Sequence, residues 1–196
     1  KAGASKDGKL VAMIAEQYDT GGLGEGGLAG LPYIYAVPTV YQESNSLHTN
    51  QDSSRAMRGP GHPQTSFAME AIVDDLAAKI GMDPIEFRKK NTDNPFYHRQ
   101  LDMGAKELGW DRRPKVPGGG TAYGPYKSLK RGMGCGCATW GGGGHPECQV
   151  DVSIKPDGST AVQVGTQDLG TGTSTYTAGI VAEEFGLAVH AIETRI

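Results

Sequence analysis

The chain has 196 residues, 37% hydrophobic and 21% charged, with a formal net charge of −3. This length fits one large domain or two small ones. The charge provides no basic field for nucleic acid. No apolar run approaches the roughly 20 residues of a membrane-spanning helix.

Glycine is unusually frequent, with 30 residues, about twice the usual share. Such a content favours repeated close approach of the backbone to other groups. The two ends resemble the interior of a protein, because the chain starts at Lys1 without a signal peptide and stops at Ile196 inside an apolar alternation. We therefore expect an internal fragment of a longer protein.

The first part of the chain is predicted to be rich in strands. Residues 9–18 form a short apolar strand after the turn signal Asp7-Gly8. The spacing G-x-G-x-x-G follows at Gly22, Gly24 and Gly27. Because no helix comes next, we interpret it as a loop and not as a dinucleotide site. Residues 33–41 indicate an edge strand or an irregular extended segment, and residues 42–54 a polar connection.

A loop rich in glycine and proline, residues 58–64 (RGPGHPQ), leads into a helix predicted from Thr65 to Ile80. Its predicted apolar face consists of Phe67, Ala68, Ala71, Ile72, Leu76, Ala77 and Ile80. The charged residues Glu70, Asp74, Asp75 and Lys79 are expected to lie away from that face. The N-terminus of this helix favours the binding of an anion. The loop of residues 58–64 by itself is equally typical of a simple connection without a ligand.

Two short helices are predicted next. Asp83 caps one that ends near Asn91, and the other covers residues 101–108, after a break at Asn94-Pro95. Residues 112–126 favour a linker. We therefore assign residues 1–95 to the end of a first subdomain, 96–128 to a linker or excursion, and 129–196 to the start of a second subdomain.

The second half begins with a predicted glycine-rich strand, residues 131–144, and continues with a hairpin of strands 149–154 and 160–164. A second glycine loop, residues 165–175, precedes a helix that contains Tyr176, Ile180, Val181 and Phe185 and ends at Gly186. A strand, a glycine loop and a helix N-terminus in this order favour anion binding by backbone N–H groups. The alternative is an ordinary tight β–α turn.

No self-contained active site can be assembled from the sequence. The five histidines are scattered, and no serine or cysteine nucleophile occupies a strained elbow. Cys135, Cys137 and Cys148 match no common zinc spacing, so we expect reduced thiols. The two glycine loops at helix N-termini indicate instead an extended, phosphate-bearing cofactor that lies across the backbone.

These motifs resemble the molybdenum-binding subunit of the xanthine dehydrogenase/aldehyde oxidase family. Residues 58–64 resemble its R-G-x-G-x-P-Q, and residues 81–91 its G-x-D-P-x-E-x-R-x-x-N. Residues 168–173 and 182–187 are similar to its M-G-Q-G-T and A-x-E-x-L-G segments. The resemblance covers nearly the whole chain except residues 96–128. It implies an α+β fold, with mixed strands and short helices from two molybdopterin-binding subdomains.

The resemblance also implies the chemistry. The cofactor is molybdopterin with molybdenum, in the cytosine dinucleotide form for a bacterial protein. The reaction is oxidative hydroxylation of an aldehyde or N-heterocycle with water as the oxygen source. The implied partners are iron–sulfur clusters and FAD on other subunits or domains, besides the small-molecule substrate. The expected reduced thiols favour the cytoplasm as the compartment, with the periplasm as an alternative for the full protein.

The same resemblance assigns site residues by position. The cofactor-binding residues are Met57, Arg58, Gly59, Leu169, Gly170, Thr171 and Gly172. The backbone at Arg58 approaches molybdenum, and the substrate pocket includes Pro60, Trp140 and Gly141. No catalytic residue falls within this chain, since the family's general-base Glu lies C-terminal to it.

Three departures leave alternatives open. Thr171 replaces the usual Gln, Pro60 replaces a frequent aromatic residue, and Gly59 replaces the Cys of carbon monoxide dehydrogenases. The last departure disfavours that activity. The first two allow a catalytically silent paralogue or scaffold that binds a nucleotide-type cofactor only, and a nucleotide-binding module without a redox role is a third hypothesis.

Overall fold

The computed structural model describes residues 1–23, 30–55, 57–115, 120–123, 125–140 and 145–196. Strands and helices are mixed along the chain, so the predicted α+β class is confirmed. The chain divides into two compact units, Lys1–Trp140 and Gly141–Ile196. This division lies downstream of the linker predicted at residues 96–128.

The first unit contains a three-stranded sheet of β1 (Ala2–Ala4), β2 (Leu10–Gly22) and β3 (Thr39–His48). β2 lies in the centre, antiparallel to β1 and parallel to β3. The strand β3 runs through the stretch predicted to be a polar connection, so that prediction was wrong. The sequence of β3 does not show the alternation of polar and apolar residues that marks a strand with one buried face, because nearly every β3 side chain is exposed. Of the predicted loop around Gly22, Gly24 and Gly27, the last two lie outside the described residues.

The helix α1 (His62–Ile80) begins three residues before the predicted start. Its buried residues are Thr65, Met69, Val73 and Ala77, one row at i, i+4 spacing. Phe67 and Ala71 were predicted to be on the buried face but are exposed. Glu70, predicted to face solvent, lies beside the buried row with a side chain only 12% exposed.

The helix α2 (Pro84–Lys90) begins as predicted, because Asp83 Oδ1 accepts from the backbone N–H groups of Ile85 and Glu86. The helix α3 (Pro95–Leu108) begins six residues earlier than predicted. Asn94 caps it by accepting from Phe96 N–H at 3.0 Å, so Asn94-Pro95 starts this helix rather than breaking the preceding one. Gly109 ends α3 in the left-handed conformation, φ 64°.

After a 3₁₀ turn (Trp110–Arg112), the chain forms a hairpin of β4 (Thr121–Tyr123) and β5 (Tyr126–Arg131). This hairpin begins within the segment predicted to be a linker, residues 96–128, and extends three residues beyond it. The glycine-rich strand predicted for residues 131–144 is not formed in its described part, because residues 132–140 belong to no strand.

The second unit contains β6 (Val150–Ile154), β7 (Thr160–Val164), the helix α4 (Thr173–Phe185), a 3₁₀ turn (Val189–Ala191) and β8 (Ile192–Arg195). The predicted hairpin is confirmed as β6 antiparallel to β7, and β8 pairs parallel to β7. The core of this unit is Val162, Ala178, Val181, Ala182 and Ile192.

The core of the first unit lies between the sheet and α1. It contains Leu10, Met13, Ala15, Leu31, Tyr33, Tyr35, Met69, Val73, Ala77 and Phe87. Across the described residues, no helix is long and apolar enough to cross a membrane.

Candidate functional site

A buried arginine joins three segments of the first unit. Arg88 on α2 is fully buried, and its Nε and Nη2 contact Glu70 Oε2 at 2.8 and 2.7 Å. Its Nη1 donates to Asp74 Oδ1 at 2.7 Å and to the Pro84 carbonyl at 3.0 Å. Its Nη2 donates to the Cys135 carbonyl at 3.0 Å. Four of the five N–H bonds of the guanidinium therefore make hydrogen bonds, and the Nη2 contact with Glu70 is an ion pair.

The second carboxylate oxygen of Glu70 accepts from the Tyr35 hydroxyl at 2.6 Å. Burial and this hydrogen bond raise the pKa of Tyr35, which therefore stays neutral. Burial alone would lower the pKa of Arg88, but the surrounding acidic groups, Glu70 foremost, together outweigh burial and raise the pKa. We call Tyr35, Glu70, Asp74 and Arg88 with the Cys135 carbonyl the Arg88 network. It attaches residues 132–140 to α1 and α2.

The other polar residues of the motif at residues 81–91 also hold the scaffold together. Asn91 accepts from Leu10 N–H at 2.7 Å and donates to the carbonyls of Gly8 and Phe87, both at 2.8 Å. Asp83 accepts from Trp110 Nε1 at 2.9 Å in addition to capping α2. The motif that supported the family resemblance thus builds the fold and leaves the chemistry to other residues.

The Tyr33 side chain connects the first glycine loop with Trp140. Its hydroxyl oxygen lies 2.6 Å from the Thr139 carbonyl, 3.1 Å from Thr139 N and 2.7 Å from His62 Nδ1. The His62 ring meets the Trp140 ring edge to face, with centroids 4.9 Å apart. Neither Tyr33 nor His62 was predicted as a site residue. No sequence signal joins them, because 29 residues separate them and 106 separate Tyr33 from Thr139.

Two predicted site segments meet in this cluster. A Cβ built on Gly59 would lie 3.7 Å from Trp140 Cε3, which places the glycine against the indole ring. The predicted molybdenum-facing residue Arg58 and the predicted substrate-facing residue Pro60 flank Gly59 in sequence. Trp140 remains 59% exposed, so one part of its ring is open to a ligand. Gly141, the third predicted pocket residue, lies outside the described residues.

The first glycine loop has an unusual backbone. Gly59 and Gly61 take φ values of 66° and 80°, and Arg58 itself has φ 26°, which is rare for a residue with a side chain. The predicted anion site at the N-terminus of α1 gains little support. The His62 N–H already donates to the Gly59 carbonyl, and Pro63 has no N–H to offer.

The second glycine loop contains its own anion. Asp168 Oδ1 accepts from the N–H groups of Gly170, Thr171 and Gly172 at 3.0, 3.0 and 3.2 Å, and Oδ2 accepts from Ser174 N–H at 3.4 Å. Burial alone would raise the pKa of Asp168, but these backbone donors outweigh it and lower the pKa. The N–H groups predicted to bind a ligand anion thus bind this carboxylate. The signal was present in the sequence, since an Asp shortly before such a loop is typical of an Asx turn.

The Thr171 hydroxyl is also engaged inside the loop. Thr173 Oγ1 donates to the Gln167 carbonyl at 3.2 Å and lies 3.1 Å from Thr171 Oγ1. Because the Thr173 proton goes to Gln167, Thr171 is the donor between the two hydroxyls. Thr171 therefore presents acceptor lone pairs, and in this arrangement its hydroxyl proton is directed to Thr173. Leu169 is 58% exposed at the loop's outer surface.

All three cysteines are free thiols. Burial raises the pKa of Cys135 to about 11, and burial followed by the charge of Glu70 raises the pKa of Cys137. In the part of the chain that the structure describes, no three His, Cys, Asp or Glu side chains are grouped to hold a metal ion.

Comparison with known proteins identifies the family of the chain. Two models of a molybdopterin cofactor-binding domain match the chain, one over residues 1–92 and the other over residues 104–196. The xanthine dehydrogenase molybdenum-binding subunit of Escherichia coli O157:H7 is 30% identical over 176 residues, which is 80% of this chain and 23% of that protein. The aldehyde oxidoreductase of Megalodesulfovibrio gigas is 30% identical over 200 residues, 93% of this chain and 22% of that protein.

The fold has solved relatives as well. The aldehyde oxidoreductase of Desulfovibrio desulfuricans superposes with a TM-score of 0.67 at 23% identity, over 97% of this chain and 23% of that one. The chain thus spans about a quarter of the length of the curated relatives it matches. The two domain matches and these relatives place the chain in the family of xanthine dehydrogenase and aldehyde oxidase molybdenum-binding subunits.

Proposed function

We propose that the chain supplies part of the cofactor cradle and substrate pocket of a molybdenum hydroxylase. The full protein would hydroxylate an aldehyde or an N-heterocycle oxidatively, with water as the oxygen source. The observation that carries the proposal is the contact of Trp140 with Gly59 and His62. It joins the segment assigned to molybdenum with the aromatic residue assigned to the substrate.

The residues present fit a molybdopterin. Met57 and Arg58 are exposed, and Gly59 has no side chain, so the backbone of residues 57–59 is accessible to a large planar group. Residues 169–172 would contact the cofactor through their outer surface, because Asp168 already uses the inner N–H groups. When bound, the cofactor supplies the redox centre that takes two electrons from the substrate carbon.

The chain's own residues position and enclose the reactants. Trp140 provides an aromatic wall that orients a flat substrate by stacking. Pro60 stands where many relatives carry an aromatic residue, which widens the pocket on that side. Asp168 holds residues 170–172 in one conformation before the cofactor arrives, which reduces the entropic cost of binding.

The remaining parts of the enzyme belong to the proposal. We assign the cofactor to the cytosine dinucleotide form and the electron acceptors to iron–sulfur clusters and FAD on partner subunits or domains. The general-base Glu is expected C-terminal to residue 196. Three free thiols favour a reducing compartment, and hence the cytoplasm.

Analysis of the full-length protein tests this function. The purified protein should contain molybdenum and release a pterin dinucleotide after denaturation. It should also oxidise aldehydes or N-heterocycles and take the new oxygen from ¹⁸O-labelled water. A preparation made in a molybdenum-replete host that holds neither metal nor pterin would overturn the proposal.

A second candidate is a catalytically silent paralogue that binds a nucleotide-type cofactor only. It is favoured by the engaged hydroxyl of Thr171, which replaces a residue that contacts the cofactor in relatives. The two candidates differ in one measurement. A protein with full molybdenum and pterin content that oxidises none of the substrate classes would favour the silent paralogue.

A further inference from the structure

The Tyr33 hydroxyl has no spare bonding position. A phenol carries one proton and accepts up to two hydrogen bonds. The Thr139 carbonyl can only accept, so the Tyr33 proton points to it at 2.6 Å. The Thr139 N–H donates to the same oxygen at 3.1 Å. The remaining contact, at 2.7 Å, must then be a donation from His62 Nδ1–H, which assigns the tautomer of His62.

The hydroxyl therefore bonds to both the carbonyl and the N–H group of Thr139, and it holds the backbone next to Trp140 in place. Tyr33 is only 5% exposed and belongs to the core of the first unit, so the fixing point is rigid. His62 adds the ring contact on Trp140, and Gly59 packs against the same indole. One part of the Trp140 side chain thus packs against His62 and Gly59, while more than half of its surface is exposed to solvent.

We propose that Tyr33 and His62 are positioning residues that set the distance of the Trp140 ring from the loop of residues 57–60, and with it the substrate size that the pocket accepts. This inference rests on the proposed function, in which Trp140 faces the substrate. Neither residue touches the substrate. They act by holding Thr139 and Trp140 in place.

Tyr33→Phe removes only the hydroxyl and leaves the ring in the core. Without the hydrogen bonds between Tyr33 and Thr139, the Trp140 ring should move away from residues 57–60 and become more accessible to solvent. We would measure acrylamide quenching of tryptophan fluorescence in the full-length protein as purified, and subtract a Trp140→Phe reference in each background. The quenching constant of the Trp140 component should rise in the variant.

Tyr41→Phe is the control. It removes the same hydroxyl from an exposed tyrosine on β3, where that hydroxyl donates to Glu43 at 3.0 Å and not to residues 132–140. This variant should leave the Trp140 quenching constant at its original value. Equal quenching changes in Tyr33→Phe and Tyr41→Phe would mean general loosening and would overturn the inference.

The kinetic test uses a series of aldehydes from acetaldehyde to naphthaldehyde. In Tyr33→Phe the ratio of KM values between the widest and the narrowest substrate should change roughly 3- to 10-fold, the size expected for one lost hydrogen bond. The kcat for the narrowest substrate should stay close to its original value, because the reacting groups are untouched. An unchanged KM ratio together with unchanged quenching would also overturn the inference.

His62→Ala provides an independent variant if Tyr33→Phe does not fold, because His62 is only half-buried. It removes the ring contact and the Nδ1–H donor, and the same rise in quenching is expected. Molybdenum content of the wild type is determined first. Its absence would count against the proposed function alone, since the quenching measurement does not need the cofactor.

Discussion

The Arg88 guanidinium donates to the carbonyl oxygen of Cys135 at 3.0 Å, across 47 residues of sequence. Arg88 is fully buried, and its charge is balanced by Glu70 and Asp74. The contact explains why residues 132–140 stay attached to the first unit although they join no strand. Cys135 precedes Trp140 by only five residues. The segment that Arg88 holds therefore also carries the aromatic residue of the candidate pocket.

Replacing Arg88 should loosen this segment. Arg88→Lys retains a charge but has three donors in place of five, and leaves the carboxylate of Glu70 incompletely paired. We expect a loss of about 3 kcal/mol in local stability, as for other broken buried ion pairs. Amide hydrogen exchange in peptides from α2 and from residues 132–140 measures this loss of local stability. The control is Lys89→Gln. Lys89 pairs with the exposed carboxylate of Asp102, and such an ion pair near the surface is worth less than about 1 kcal/mol. Equal losses in both variants would contradict the prediction.

Alanine substitutions at two glycines with nearly the same φ angle allow the cost of a steric clash to be separated from the cost of a left-handed backbone. Gly22 has φ 69° and Gly81 has φ 72°. A Cβ on Gly22 would lie 2.0 Å from the Asp52 carbonyl oxygen, whereas a Cβ on Gly81 would have no atom within 4 Å. Gly81→Ala should therefore cost only the left-handed strain of about 1–2 kcal/mol.

Gly22→Ala should cost clearly more than Gly81→Ala, because the backbone around Asp52 has to shift. Thermal unfolding of the full-length variants gives the comparison as two shifts in Tm. The prediction fails if Gly81→Ala lowers Tm as far as Gly22→Ala does.

Asp168 should make the second glycine loop sensitive to acid. Its pKa in the folded chain lies below the ordinary 3.8. The carboxylate therefore stabilises the loop fully above the ordinary pKa, and this stabilisation is lost as the pH falls through the lowered value. Asp168→Asn should reduce amide protection at residues 170–174 at pH 7, and the difference from the wild type should vanish in strong acid.

Asp157→Asn is the control for this experiment. Asp157 also has a lowered pKa, but its partner is Ser159 in the hairpin turn between β6 and β7. Its replacement should change exchange in that turn and leave residues 170–174 as they were. Unchanged protection of the glycine loop in Asp168→Asn at pH 7 would refute the anchoring role of Asp168.

The thiols should react at different rates. Cys148 is exposed, whereas Cys135 and Cys137 are about half-buried and have raised pKa values, that of Cys135 being about 11. Because the thiolate is the nucleophile, iodoacetamide at pH 8 should label Cys148 first. Peptide mass spectrometry over time measures the order, and labelling in urea should remove it. Labelling of native Cys135 as fast as Cys148 would contradict the burial seen here.

Arg58→Ala in the full-length protein should lower molybdenum content or turnover, because residue 58 lies in the segment proposed to approach the metal. Its φ of 26° is strained for any side chain, so the replacement leaves that strain and removes the side chain beyond Cβ, with its charge. Metal analysis and turnover are measured on the same preparation, with the exposed Arg99→Ala as a control for surface charge. Full loading at an unchanged rate would contradict the role of this residue.

Local signals in the sequence were sufficient for several elements. The Asp83 cap with Pro84, the Asp157-Gly158 turn and the stops at Gly81, Gly109 and Gly186 predicted ends of helices and strands that the structure confirms. These features depend on hydrogen bonds and φ angles within four residues, so the composition of a short stretch determines them. The motifs spaced along the chain were likewise sufficient for the family and the α+β class.

Long-range contacts could not be predicted in the same way. The path of β3 depends on pairing with β2 rather than on its own polar residues. The inward position of Glu70 depends on Arg88, and the cluster of Tyr33, His62 and Trp140 depends on how three distant segments pack. Even the loop at Asp168, a local structure, was interpreted as open because the sequence does not say which anion its N–H groups bind.

The amino-acid sequence by itself determined which residues cap, turn and pack locally, because those preferences are set by each residue's own backbone and its nearest neighbours. Only the tertiary structure decided which of the recognised motif residues hold the scaffold and which face a ligand. The reason is physical. A buried charge or hydroxyl takes its role from its partners, and the partners of Arg88 and Tyr33 include residues 47 and 106 positions away.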